Sequence, residues 1–397
     1  MSETPARSSP CDGTVLVITN DFPPRRGGIE TFVHTLCATL PPDRLVVYTS
    51  AAAGSTHSDA ALAYRVIRDR KAVLLPTRRV ARNAQLIAFR HGCDRVVFGA
   101  AAPLGLLAPR LREVGVGRIV ALTHGHEVWW AKTPGARSAL RRISENVDVV
   151  TCVSDYCQAE IARALRPGAA GRLTRLSPGV DVRRFRAGLD EGVWRRKLEI
   201  TARQPVVLAA GRLVARKGHE TLIKVWPDVL RHSPDAILLI VGDGPLRGRV
   251  QRRIAGAGLT SSVRLVLDAQ WRQMPEIYAA SDVFALPCRT RRWGLEPEAL
   301  GIVFLEAAAS GLPVIVGNSG GAPETLLDGE SGYVVDPRDR GALIQRVLEL
   351  VNDPELARAM GERGRRYVTS QYSDQVSTER FRQLLGCTST PRNSAEA

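Results

Sequence analysis

The stretch TVLVITNDFPPRRGGIETFVHTLCATL, residues 14–40, decides how the chain is read. Its first six residues are almost all β-branched and form too short a run for a buried helix. They read as a strand buried on both faces. Pro23-Pro24 forbids helix directly after it, and Gly27-Gly28 lets the backbone approach a ligand closely. IETFVHTLCATL (29–40) then reads as a helix. A strand, a turn and a helix whose first N–H groups lack intrahelical partners can receive an anion. The turn lacks the GxGxxG spacing of a dinucleotide site, so a plain tight turn remains an open reading.

The same unit recurs along the chain. RLVVYTS (44–50), RVVFGA (95–100), RIVALTH (118–124) and VDVVTCVS (147–154) read as further buried strands separated by helical patterns. A second series follows: PVVLAAGRL (205–213), AILLIVGDG (236–244), VRLVL (263–267), DVFALP (282–287), PVIVG (313–317) and GYVVD (332–336). Between the series, residues 182–204 are charged and interrupted. The pattern predicts an α/β protein of two facing, Rossmann-like, doubly wound domains, at 14–190 and 204–370. A helix at 371–386 is expected to cross back to the first domain. Residues 1–13 and 387–397 read as a disordered leader and tail. In such sheets ligands sit at the carboxyl ends of strands, so a cleft between the domains is the expected site.

A chain of 397 residues with 44% apolar content can fill two cores. No run of 18 uncharged apolar residues occurs, and the first dozen residues lack the apolar stretch of a secretory signal. The net charge is +15, which favours an anionic partner, although only five of the 55 basic residues are lysines and arginine bias alone can raise the charge. The seven cysteines show no CxxC and read as reduced, mostly core residues. Aromatic content of 5% and the lack of a zinc-finger or helix-turn-helix pattern argue against nucleic acid.

Four further motifs carry chemistry. In GRLVARKGH (211–219), Arg212 and Lys217 flank a strand end and a helix start. They suit a diphosphate, the first as a fork and the second as a point charge; solvated surface cations are the plainer reading. In THGHE (123–127), His124 at a strand's carboxyl end suits a hydrogen bond to substrate, or is a satisfied core histidine. The ligand spacing of a metal site is missing, so no metal is expected. In EALGIVFLE (298–306), a continuous helix would set the two glutamates ~12 Å apart and rotated by ~80°. If Gly301 breaks the segment, Glu298 lies in the preceding loop and Glu306 in the helix's second turn. The N–H groups of Ile302 and Val303 are then free for phosphate, and one ligand can run from Glu298 past the helix tip to Glu306. In LLPTRRVARNAQLIAFRHG (74–92), Thr77 can cap a helix with an apolar stripe of Val80, Ala84 and Ile87. Arg78, Arg79, Arg82, Leu86 and Phe89 lie off that stripe and suit an anionic bilayer, or form an ordinary solvated face.

Taken in order, NDFPPRRGGIE, THGHE, SPGVDVRRF, GRLVARKG, VGDGPL, LPCRTRRWGLEPEALGIVFLE and GNSGGAPE resemble the GT-B glycosyltransferases of family 4 over roughly residues 14–386. More narrowly, NDFPPRRGGIE, FGAAAPLGLLAPR, THGHEV and EALGIVFLEAAASGLPVI resemble the actinobacterial GDP-mannose-dependent phosphatidylinositol mannoside mannosyltransferases of the PimB type. The resemblance implies a retaining, metal-independent transfer of mannose to a glycolipid at the cytoplasmic membrane face, with no cofactor. It implies that Glu298 holds the transferred sugar and Glu306 the ribose hydroxyls. Arg212, Lys217 and the N–H groups of Ile302 and Val303, next to Gly301, would stabilise the leaving diphosphate. Gly27 and Gly28 would approach the donor, His124 would sit by the reacting sugar, and Asp21 and Arg25 would lie where the acceptor binds. One departure is Asp268-Ala269, where the family often has glycine near the base. It keeps a UDP-sugar or another acceptor open. The remaining rival is a non-catalytic protein that binds an anionic membrane or nucleic acid.

Overall fold

The structure is a computed structural model that describes residues 13–25 and 27–387. The expected leader and tail lie almost wholly outside these residues. The described chain divides into two compact units, one made of residues before 178 together with 377–387, the other of residues 178–376.

The first unit is built on seven parallel strands: β1 (Thr14–Thr19), β2 (Leu45–Thr49), β3 (Arg65–Arg68), β4 (Cys93–Phe98), β5 (Arg118–Leu122), β6 (Val149–Cys152) and β7 (Leu173–Arg175). Their spatial order is β3-β2-β1-β4-β5-β6-β7. The order reverses beside β1, where Val17 faces Val47 on one side and Val97 on the other. The apolar run that opened the sequence is thus an interior strand of the sheet, with Leu16 and Ile18 fully buried. The helix Asp374–Leu384 begins at the seam and ends on this unit. Phe381 and Leu385 join the core of Val15, Val17, Phe32 and Val47. Arg118 Nε donates to Leu384 O at 3.0 Å, and Arg382 to Thr39 O at 2.8 Å.

The second unit has six parallel strands: β8 (Val206–Ala210), β9 (Ile237–Val241), β10 (Val263–Val266), β11 (Val283–Leu286), β12 (Val314–Gly317) and β13 (Gly332–Val335), in the order β10-β9-β8-β11-β12-β13. Its order reverses between β8 and β11, where Leu208 faces Phe284. An aromatic column runs behind the sheet's carboxyl end. Phe185 meets Tyr278, Tyr278 meets Phe284, and Phe284 meets Phe304, with ring centroids 5.8, 6.0 and 5.8 Å apart. The first and last of these pairs are edge-on, which adds to plain burial and locks ring positions. Cys37, Cys93, Cys152, Cys157 and Cys288 are buried free thiols, but Cys387 is disulfide-bonded, which corrects the reading of all the cysteines as reduced. Among the described residues no helix is long and apolar enough to cross a membrane.

Candidate active site

In the second unit the chain leaves β8 through Gly211 and Arg212, reaches Lys217, and starts the helix His219–His232. Gly218 makes that entry with φ +85°, and a side chain there would meet the carbonyl of Pro287. The loop after β11 carries Glu298 and ends at Gly301, which stands at φ +93° before the helix Ile302–Ala309. A left-handed residue is costly for anything but glycine, so Gly301 does break the segment. Glu298 therefore precedes the helix and Glu306 lies within it. Both loops leave the sheet at its topological switch point, where α/β proteins place ligands.

The site is a buried charge cluster. Glu298 is 6% exposed and Lys217 8%. Lys217 Nζ lies 3.0 Å from Glu298 Oε2, and Arg216 approaches the same oxygen to 3.6 Å. Burial pushes the Glu298 carboxyl up, but the charges of Lys217 and Arg216 together outweigh it and hold the group below the usual carboxylate range. Its backbone N–H donates to Ser319 Oγ at 3.2 Å, and Gly321 N–H donates to its carbonyl at 2.9 Å, so the loop is tied on both sides. Arg212 is exposed and makes no side-chain hydrogen bond or ion pair among the described residues, which leaves its fork available to an incoming anion.

Glu306 is equally buried but differently held. Tyr278 OH donates to its Oε2 at 2.9 Å. Burial pushes its pKa up to about 7, against hydrogen bonds from Tyr278 and Trp271 and the charge of Arg184. The Arg184 guanidinium lies 3.5 Å over the Trp271 ring and donates to Trp271 O at 3.3 Å. Motif reading singled out Arg212 and Lys217 and passed over Arg216 beside them. It also had no signal for Tyr278 or Trp271, which come to Glu306 from a separate helix and turn.

In the first unit His124 follows β5. Its Nε2 lies 2.6 Å from Gly99 O, and since a carbonyl can only accept, Nε2 carries the proton. Burial lowers its pKa, so the ring is neutral near pH 7, with Nδ1 as an acceptor. The fully buried Glu127 takes the His124 backbone N–H at 2.9 Å and lies 3.2 Å from His126 Nε2. It stands inside the THGHE motif but only the histidines were singled out in it. Gly28 begins the first helix with open space around its Cα, so backbone is presented there, while Gly27 is extended beside Glu30. The Asp21 backbone N–H donates to the neighbouring Thr19 Oγ1 at 2.9 Å. Arg25 gives its guanidinium hydrogen bonds to the carbonyls of Asn20, Ala51 and Ala72, which makes it a clasp on three segments. Thr77 caps the helix Arg78–Arg90, whose Val80, Ala84 and Ile87 are buried while Leu86 is 43% and Phe89 76% exposed. Arg79 is engaged by the buried Asp69 at 2.8 and 2.9 Å, and Asp69 also takes the Tyr48 hydroxyl at 2.6 Å. Among the described residues no cluster of three or more His, Cys, Asp or Glu is arranged to hold a metal.

Two parallel sheets, with cations and a helix start at the second sheet's switch point, define the scaffold of a nucleotide-sugar transferase. The chain belongs to the GT-B glycosyltransferases of family 4: the family model described as "Glycosyl transferases group 1" matches residues 190–367, and that described as "Glycosyltransferase Family 4" matches residues 26–184. It is an enzyme that transfers a glycosyl group. It is 43% identical to the GDP-mannose-dependent alpha-(1-6)-phosphatidylinositol monomannoside mannosyltransferase of Mycolicibacterium smegmatis, over 94% of this chain and 98% of that one. It is 42% identical to the GDP-mannose-dependent monoacylated alpha-(1-6)-phosphatidylinositol monomannoside mannosyltransferase of Corynebacterium glutamicum, over 93% and 97%. Among solved structures, the Anabaena protein HepE in complex with UDP matches with TM-score 0.79 at 18% identity, over 94% of this chain and all of that one. The sucrose-phosphate synthase of Thermosynechococcus elongatus matches with TM-score 0.73 at 22% identity, over 94% and 98%. At such identities these two attest the fold.

Proposed function

We propose that this chain moves mannose from GDP-mannose to a phosphatidylinositol mannoside, with retention at the anomeric carbon and without a metal ion, at the cytoplasmic face of the membrane. The observation that carries the reading is the similarity to relatives of that stated activity along more than nine-tenths of the chain. The site supplies chemistry to match. Glu298 accepts hydrogen bonds from hydroxyls of the transferred sugar, and its low pKa keeps it an acceptor. Lys217 and Arg212, with the N–H groups of Ile302 and Val303, neutralise the diphosphate as the bond from the anomeric carbon to phosphate oxygen breaks and its electron pair goes to that oxygen. Glu306 takes the ribose hydroxyls. The acceptor hydroxyl attacks the face that the diphosphate leaves, and its proton passes to the leaving phosphate oxygen, so no separate base is needed. Neutral His124 offers Nδ1 to a sugar hydroxyl. The exposed Leu86 and Phe89, with Arg78 and Arg82, bring the first unit to an anionic bilayer; Arg79, paired with Asp69, holds that helix in place.

Isothermal titration with GDP, UDP and ADP in EDTA tests the donor. GDP is expected to bind most tightly. Preference for UDP would overturn the mannosyl donor, and binding that appears only on adding a divalent ion would overturn metal independence.

A further inference from the structure

The hairpin that precedes Glu298 has no part in the chemistry above. Arg291 and Glu296 close it as an antiparallel bridge, with N–H to O distances of 3.1 and 3.2 Å in the two directions. At its tip Arg292 and Trp293 stand at φ +50° and +51°, and Gly294 follows at +90°. Two bulky residues in the left-handed region are strained, and such strain persists where the surroundings fix it. Its effect here is display: Trp293 is 100% exposed, more than any other large apolar residue described. Behind it an open-mouthed cavity of about 560 Å³ is lined by Arg289, Arg291, Arg292 and Arg338, with Asn318 and Asp336. The acidic groups in reach are Asp336 and Glu296, the latter paired with Arg292 at 2.9 Å, so cations prevail. The base of the hairpin is tied to the active site, since Thr290 Oγ1 meets Ser319 Oγ at 2.9 Å and Ser319 Oγ accepts the Glu298 N–H.

We infer that this hairpin is a second docking element, on the other unit from the Arg78–Arg90 helix, for the surface of an anionic phospholipid bilayer. An indole at the apex and guanidinium groups set back around a cavity reproduce the layering of that surface. The ring suits the boundary of the acyl region and the cations suit the phosphates. The inference rests on the proposed function only in that a lipid-borne acceptor gives the enzyme cause to meet a membrane.

The test is flotation of the full chain with vesicles of phosphatidylcholine alone or mixed with phosphatidylinositol, beside the variants Trp293→Ser and Arg291→Ser/Arg338→Ser. GDP titration of each protein serves as the control for an intact donor site. The parent is expected to float only with anionic vesicles. The double arginine variant should bind them about 25-fold more weakly, on the order of fivefold per cation removed. Trp293→Ser should bind more weakly too, and brominated lipid should quench a share of the parent's fluorescence that this variant lacks. All three proteins should bind GDP alike. Unchanged vesicle binding by the variants, equal binding of neutral and anionic vesicles, or preference for a single-stranded oligonucleotide would overturn the inference. Loss of GDP binding in the parent would instead strike the proposed function, and the flotation result would still decide the hairpin.

Discussion

At the residue scale, the two glutamates of EALGIVFLE have opposite electrostatic settings. Glu298 is kept ionised by Lys217 and Arg216, while Glu306 is pushed up to about 7 by burial. Glu298→Gln removes the charge that Lys217 faces. Transfer should fall by a factor of at least ~100, the loss typical of a hydrogen-bonding group aimed at the transition state. The buried ammonium left without its carboxylate should cost about 3 kcal/mol in stability, read from urea unfolding of a chain that still folds. For Glu306 the sign runs the other way. Its folded pKa lies above the unfolded one, so the folded state holds more protons between about pH 4.5 and 7. Its contribution to stability is present below that window and is lost as pH rises through it; Glu306→Gln should flatten that slope in melting curves. In the proposed function a ribose diol donates to the ionised form, so GDP affinity should rise with pH through about 7 in titrations, and the variant should lose that dependence. Arg212 and Lys217 were legible as candidates because cations and a strand end coincided in the sequence, and the glutamates because they bracket a glycine and a helix start. Tyr278, Trp271 and Arg184 were not, since they meet Glu306 only through tertiary packing.

At the element scale, the proposed anion site rests on the glycine before the Ile302–Ala309 helix. A side chain at Gly301 would face a left-handed backbone and press its Cβ to 2.3 Å from the Phe304 ring, which is itself locked against Phe284. Gly301→Ala should therefore lower stability by about 1–2 kcal/mol and displace the N–H groups of Ile302 and Val303. GDP affinity should drop at least tenfold in the same titration, and a parental affinity would show that these groups do not hold the phosphates. The long apolar strands, from TVLVIT to GYVVD, were legible because parallel strands buried on both faces read as continuous β-branched runs. RVIR of β3 and LTR of β7 were not. They are the two outer strands of the first sheet, short and arginine-bearing, and their sequence carries no apolar run. On the Arg78–Arg90 helix, the same composition that marks a bilayer face also fits a solvated one, and exposure separates them only in part. Phe89→Ser with Leu86→Ser should weaken flotation with anionic vesicles severalfold without changing GDP affinity.

At the scale of the whole molecule, the repeat of architecture along the chain became two parallel sheets, each reversing its order beside its first strand. That reversal puts the β8 and β11 loops side by side and brings Lys217 to Glu298 across 81 residues of sequence. Sequence pattern predicted the number of sheets and their parallel sense; strand order emerged only with the fold, because buried apolar runs of similar length do not encode their neighbours. The proposed function stands on one reaction. Incubating the purified enzyme with GDP-mannose and phosphatidylinositol monomannoside in EDTA, and following the lipid by mass spectrometry, should give a product one hexose heavier with GDP released in equal amount, and none with Glu298→Gln. A lipid left unchanged while UDP-glucose or another donor supports transfer, or a product formed as readily by Glu298→Gln, would contradict it.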